Sequence, residues 1–317
     1  MKTFKDLISF IRREVNKGIE NIPIPEKPKY LYDPIRYSLK GNAKRFRPIL
    51  AHLVGRANKI DPDIIMNISL SVELLHNFTL IHDDIMDKDS VRHGQKTIHE
   101  KWDNSSAILA GDGVFVLSQI ILSSVNNNVM SAYFNSATLE ICEGQALDKE
   151  FENNDKITES QYLEMIDKKT GALLSLSAIL GPIYCGIDKE VISHYDDFGR
   201  NIGRGFQIHD DLLEITSNQD LMGKSLGSDL AEGKQTFMVI RARNLFPKQW
   251  KEIIIDSNSV DLVTNCKLFF DEKGIIETTR LKAESYFKSA REDLKKIKSI
   301  DTDELLKFTN LIEKRTF

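Results

Sequence analysis

Residues 62–87 read PDIIMNISLSVELLHNFTLIHDDIMD. Ile64, Ile68, Val72 and Leu75 recur at helical spacing and form one apolar stripe that runs straight into Asp83. Pro62 suits the opening of that helix. The stretch predicts a long helix whose last turns carry Asp83, Asp84 and Asp87. Its terminal string, His82-Asp-Asp-Ile-Met-Asp87, returns far downstream as His209-Asp-Asp-Leu-Leu-Glu214. Each copy places carboxylates at i, i+1 and i+4, and positions i and i+4 share a helix face. Charge packed this closely repels itself unless cations lie between. Mg²⁺ suits the role, because it takes oxygen ligands and fills its shell with water and substrate phosphate. Two such clusters facing each other would clamp a diphosphate through metal ions.

Outward from the two strings the pattern stays helical. Residues 2–20 are amphipathic, and Pro23, Pro25 and Pro28 then break the chain. Pro48 opens a helix to about Asn58, and further helices are predicted over 104–125, 129–151, 158–181, 188–216, 230–245, 276–297 and 302–315. Asn126–Asn128, Asn153–Asp155 and segment 217–228 read as breaks, and no strand alternation is sustained. With 17 Gly and 8 Pro in 317 residues and no shift of composition, one all-α domain over 1–317 is expected. A net charge of −4 gives no sign of a nucleic-acid partner. Cys142, Cys185 and Cys266 are odd in number and form no CxxC, which argues against a disulfide framework and for a cytoplasmic location. The opening Met1–Ile8 lacks an uninterrupted apolar core, so no signal peptide is expected. No run approaches 18 apolar residues, so no membrane span is expected either; Ile108–Leu122 is interrupted by Asp112 and Gln119.

Basic groups alternate along the chain with the acidic strings. Lys44, Arg45 and Arg47 crowd a helix entrance, where exposed N–H groups also favour an anion. Arg92 and His93 follow the first string, Lys168-Lys169-Thr170 lies mid-chain, and Gly223-Lys224-Ser225 and Gly233-Lys234-Gln-Thr236 follow the second. Arginine forks grip phosphate bidentately and lysine binds it as a point charge. A protein that only buffered Mg²⁺ would not need this basic set.

The blocks GNAKRFRP (41–48), DDIMDKDSVRHG (83–94), KKTGALL (168–174), GRGFQIHDDLLE (203–214) and GKSLGSDLAEGKQT (223–236) appear in the order found in isoprenyl (polyprenyl) diphosphate synthases, and the chain resembles that family over nearly its whole length. The resemblance implies an all-α fold, a single large barrel of antiparallel helices around a deep central cavity (the isoprenoid synthase fold), used as a homodimer. It implies head-to-tail condensation of isopentenyl diphosphate with an allylic diphosphate. Asp83, Asp84 and Asp87 would hold two Mg²⁺ ions and Asp210, supported by Asp211 and Glu214, a third, with Mn²⁺ as the alternative metal. Arg92, Lys169 and Lys224 would grip the allylic diphosphate, with Lys234 in support. Lys44, Arg47 and His76 would seat isopentenyl diphosphate. Thr170 and Gln207 would face the developing carbocation, and the released diphosphate would take the final proton.

The chain departs from the family pattern in three respects, at four positions. Glu214 replaces the third aspartate of the second string and implies metal contact through water. His93 replaces a second arginine of the isopentenyl diphosphate site, which implies weaker or more pH-dependent binding there. Asn42 and Ala43 stand at small or glycine positions and imply no change. Phe78 lies five residues before Asp83, roughly 7.5 Å down the helix, and Thr79 beside it is small. One aromatic at that place with no insertion between the aspartates resembles the archaeal type that stops at geranylgeranyl diphosphate; farnesyl diphosphate is the next reading. Without the resemblance, each feature has a plainer meaning: a lone acidic triplet is a solvated face, Phe78 is core, His76 is structural, and Lys44 and Arg47 are surface charges. His82 and His209 are read as structural; Arg45, Asp89, Asp112, Asp148 and Asp229 as supports behind the site; Glu313–Phe317 as a closing tail or a frayed end. A class I terpene cyclase would not need the Lys44/Arg47 site, and a non-catalytic partner subunit tends to lose one acidic string, whereas both are kept here.

Overall fold

The computed structural model describes residues 3–41, 43–92, 94–216, 230, 233–256 and 262–315. Helix α1 (Phe4–Glu20) opens on a reciprocal cap, in which Asp6 N donates to Thr3 Oγ1 at 3.1 Å and Thr3 N to Asp6 Oδ2 at 3.0 Å. Helix α2 (Lys29–Leu39) follows Pro28, the last proline of the expected break, and carries Pro34 within it. Helix α3 (Phe46–Ala57) starts two residues before Pro48. Helix α4 (Pro62–Asp87) is the predicted one: Pro62 is its first residue, and the Asp61 side chain accepts from Asp63 N at 2.9 Å.

A two-residue antiparallel ladder comes next, β1 (Val91–Arg92) on β2 (Gln95–Lys96), then the short α5 (Ile98–Lys101). Helices α6 (Asn104–Ser123), α7 (Asn128–Phe151) and α8 (Glu159–Ile166) follow. A π-helical turn, Asp167–Gly171, joins α8 to α9 (Ala172–Tyr184), where the sequence reads as one uninterrupted helix. The rest is α10 (Lys189–Thr216), α11 (Phe237–Leu245), α12 (Pro247–Asp256), α13 (Leu262–Glu272), α14 (Ile275–Lys296) and α15 (Asp303–Glu313). Gly233–Thr236, predicted within a helix, form a turn ahead of α11.

Packing divides the chain into two compact units. The first takes in 1–138, 176–196 and 296–307, the second 139–175, 197–295 and 308–317. In the first, α4 packs on α3 and α6, and Ile68, Val72, Leu74 and Leu75 are buried along it. At about 25 cal/mol per Å² of apolar surface, such side chains contribute roughly 1.5–3 kcal/mol each, which anchors the helix that ends in Asp83. In the second unit, α10 buries Phe198, Ile202, Ile208 and Leu212, and Met238, Ala242, Phe270 and Ile275 fill a core with Leu212.

By length and averaged hydropathy, α4 and α6 could each cross a membrane, although neither has an unbroken run of apolar residues. Most of that window of α4 is buried within the fold. Helix α6 buries Ala107, Ala110, Val114 and Leu122 and leaves Ile108, Leu109, Val116 and Ile120 exposed.

Candidate active site

In the first unit the end of α4 distributes its carboxylates by helix phase. Asp83 and Asp87 are half-buried on one face, while Asp84 is 6% exposed. Arg92 meets Asp84 there: its Nε donates to Asp84 Oδ1, and its Nη2 to Asp89 Oδ2 at 2.9 Å. Thr97 Oγ1 donates to Asp89 O at 2.7 Å and secures the ladder that presents Arg92. Burial pushes the Asp84 carboxyl up to about 6, against the pull of the guanidinium. Burial alone would lower Arg92, yet the Asp84 charge holds it above its ordinary value.

The basic entrance to α3 separates into two roles. Arg45 is buried and donates to Glu73, to Asn16 Oδ1 at 3.0 Å and to Gly41 O at 3.0 Å. It therefore braces the segment. Burial raises Glu73 above the ordinary carboxylate range despite this partner. Lys44 is exposed, and Arg47 Nη1 lies 3.0 Å from His76 Nε2. A guanidinium only donates, so His76 accepts at Nε2. The predicted Arg47 and His76 are thus brought together. Below Asp83, the Phe78 ring meets the Phe115 ring of α6 at 5.2 Å and the His82 ring at 4.8 Å between centroids.

In the second unit the π turn carries Lys169 and Thr170. Lys169 Nζ donates to Asp148 Oδ2 at 2.6 Å, and Lys168 Nζ to Glu143 Oε2 at 2.6 Å. The wide turn needs room. A Cβ on Gly144 of α7 would lie 2.2 Å from Lys169 N, and one on Gly203 of α10 2.5 Å from Gly171 Cα. Both positions admit only glycine without a shift of backbone. Arg200 and Arg204 of α10 pin the turn through Asp167 at 3.1 and 2.9 Å.

Helix α10 repeats the phase rule of α4. Asp210 and Glu214 are half-exposed and one turn apart, and Asp211 is 5% exposed. Asp211 Oδ2 accepts from Tyr162 OH at 2.6 Å, and Oδ1 from Gln207 Nε2 at 2.9 Å. Gln207 Oε1 accepts from Thr170 Oγ1 at 2.9 Å. Asp210 pairs with Arg315, whose guanidinium also lies 3.8 Å above the Phe206 ring. Burial, then the nearby Arg315, lowers the basicity of His209. Lys234 follows Gly233, whose carbonyl accepts from Asn153 N at 3.0 Å, and precedes the Thr236 cap of α11. His93, Lys224, Asp229 and Asn42 lie outside the described residues.

Each string therefore offers two half-exposed carboxylates one turn apart, Asp83 with Asp87 and Asp210 with Glu214. Among the described residues no three His, Cys, Asp or Glu side chains gather into a closed metal cage. The donor set is all oxygen and half-exposed. It fits a hard cation such as Mg²⁺, which is bound through one or two carboxylates plus substrate phosphates.

The polyprenyl synthetase family model matches residues 28–266. That covers most of the chain. The chain belongs to the polyprenyl synthetase family. It is 36% identical to a geranylgeranyl diphosphate synthase of Methanosarcina mazei over 305 residues, 93% of this chain and 92% of that one. A geranylfarnesyl diphosphate synthase of Natronomonas pharaonis is 37% identical over 74% of this chain and 75% of its own. A solved geranylgeranyl pyrophosphate synthetase from the archaeon Geoglobus acetivorans superimposes with a TM-score of 0.86 at 34% identity, over 98% of this chain and 100% of that one.

The chain shares the all-α fold of solved isoprenyl synthases, and polyprenyl synthetases use divalent metal ions. In each string the first and last carboxylates are half-exposed and the middle one is buried against its neighbours. The sequence alone groups all three as ligands. It also passes over Tyr162 and Phe115. Tyr162 stands two turns ahead of Thr170 on an amphipathic stretch, and that register is the signal that points to it. Phe115 sits in a continuous apolar run, so nothing in the sequence singles it out.

Proposed function

We propose that this polyprenyl synthetase is a trans-prenyltransferase that extends an allylic diphosphate with isopentenyl diphosphate and releases geranylgeranyl diphosphate. The carrying observation is that both strings place two half-exposed carboxylates one turn apart, Asp83/Asp87 and Asp210/Glu214, on helices whose neighbours supply Lys169 and the Arg47–His76 pair. Residues 1–317 act in this reading as one catalytic domain.

Three bound Mg²⁺ ions, or Mn²⁺ in their place, supply charge neutralisation to the leaving diphosphate. The chain's own groups do the rest. Asp83 and Asp87 hold the metal at the first string, Asp210 and Glu214 at the second. Asp84 and Asp211 hold the geometry behind them. Lys169 and Lys224 grip the allylic diphosphate, Lys234 assists, and Arg92 adds positive charge while anchoring Asp84. Lys44, Arg47, His76 and His93 seat isopentenyl diphosphate. Thr170 and Gln207 turn oxygen dipoles toward the allylic cation, and exclusion of water keeps that cation from being quenched.

Phe78, backed by Phe115, forms the floor that ends growth at twenty carbons. The exposed apolar residues of α6 (Ile108, Leu109, Val116 and Ile120) suit a homodimer contact, which sedimentation velocity tests. The free cysteines suit a cytoplasmic location.

The decisive experiment incubates the protein with farnesyl diphosphate, radiolabelled isopentenyl diphosphate and Mg²⁺. Label in a twenty-carbon product is expected, and absence of incorporation overturns the reading. Phe78→Ala should lengthen the product on chromatography of the reaction lipids; unchanged length removes Phe78 as the floor.

A further inference from the structure

We propose that Tyr162 is a positioning residue that sets the orientation of the Thr170–Gln207 pair through Asp211. This rests on the prenyltransferase reading above and deepens it. Tyr162 is 1% exposed on α8, and its ring packs on Phe237 with centroids 6.2 Å apart. Its hydroxyl donates to Asp211 Oδ2 at 2.6 Å. From there each hydrogen bond constrains the next. An ionised carboxylate only accepts. With Oδ2 held by Tyr162, Oδ1 receives Gln207 Nε2 at 2.9 Å. This fixes which end of the Gln207 amide is nitrogen and turns Oε1 toward Thr170. The Thr170 hydroxyl spends its proton on that oxygen at 2.9 Å. What Thr170 can then present to a cation is its lone pairs.

The direction of this relay matters more than its strength. An amide turned end for end would aim N–H donors at Thr170 and let the hydroxyl proton point outward. That reverses the dipole offered to a carbocation. Gln207 and Asp211 are one turn apart on α10, so a carboxylate fixed at this distance can hold the amide in one sense. Buried hydrogen-bond chains polarise one another, so loss of the terminal donor is felt at the far end.

Tyr162→Phe keeps the ring on Phe237 and removes only the donor. Condensation kcat should fall about tenfold, with KM for both substrates within about twofold. A larger share of allylic substrate should end as alcohol, formed when water captures the allylic cation and passes its proton to the released diphosphate. In a Thr170→Val background the same Tyr162→Phe change should cost clearly less than in the wild type, because one of the two groups through which it acts is gone. Wild-type kcat in Tyr162→Phe overturns the proposal, as does a loss that adds in full to that of Thr170→Val. Circular dichroism checks folding. If Tyr162→Phe fails to fold, Asp211→Asn takes its place, with the same kcat loss and the same non-additivity expected. If the wild-type chain incorporates no label, the functional reading fails; if it does and the variant matches it, only this inference fails.

Discussion

The two acidic strings share their spelling and differ in what holds them. On α4 the buried middle aspartate, Asp84, is matched by a charge, the Arg92 guanidinium delivered by a two-residue ladder. On α10 the buried Asp211 accepts from two neutral donors, Tyr162 and Gln207. Asp210 is engaged by Arg315 from the C-terminal tail while its side chain remains 47% exposed. The lesson is that a repeated acidic string fixes which positions are half-exposed, not what braces the position that faces in. The middle aspartate of the first string meets a guanidinium, and that of the second joins a hydrogen-bond relay that leads to Thr170.

The largest effect should separate the outward acids of the two copies. Asp83→Asn should lower kcat/KM about a thousandfold, and Glu214→Gln about tenfold, as expected for a direct metal ligand against one acting through water. Steady-state incorporation at saturating Mg²⁺ reads both, and equal losses would erase the asymmetry. Next comes the brace. Arg92→Ala strands the buried Asp84 and should cost about 3 kcal/mol of stability. Asp211→Asn, which loses neutral hydrogen bonds, should cost about 1–2 kcal/mol. Urea unfolding compares them.

Acidity tests the Asp84–Arg92 pair. Asp84, pushed up to about 6 from an ordinary 3.8, takes up its proton in the folded chain before the unfolded chain does. Its cost to stability is therefore full above pH 6 and fades as pH falls toward 3.8. Activity moves the other way, because protonation loosens Arg92. The profile of kcat/KM should bend near pH 6 and fall about tenfold per unit below it. Asp84→Asn should remove that bend; a bend that survives belongs to another group. The smallest effect concerns the tail. Arg315 pairs with Asp210, the proposed metal ligand, so Arg315→Ala should lower the Mg²⁺ concentration for half-activation by roughly threefold. A higher requirement would make Arg315 an aid to metal binding instead.

Much of this was legible in the sequence. The apolar stripe over Ile64–Leu75 and Pro62 at its start gave α4 with its bounds, and the spacing of Asp83 and Asp87 gave a shared face. Helix α2 was hidden, because Pro28 at its entrance and Pro34 inside it read as breakers. Helices α12 and α13 are short and carry little periodic signal. The residue types of the site were readable, but their pairing was not. Neighbours on a helix point about 100° apart, so the middle aspartate of each string had to turn inward. Which partner waited there depends on the adjoining ladder for Arg92 and on the remote α8 for Tyr162.

The π turn at Asp167–Gly171 sets a matter of phase. Eight residues of regular α-helix overshoot two full turns by about 80°, which would swing Thr170 away from the side on which Tyr162 lies. A π turn closes on i+5 rather than i+4 and winds more slowly, so most of that overshoot is taken back. Tyr162 and Thr170 then come round to the same side, where Asp211 and Gln207 on α10 meet them one turn apart. The turn acts as a timing correction: one residue more than a regular helix would spend there keeps two side chains in step.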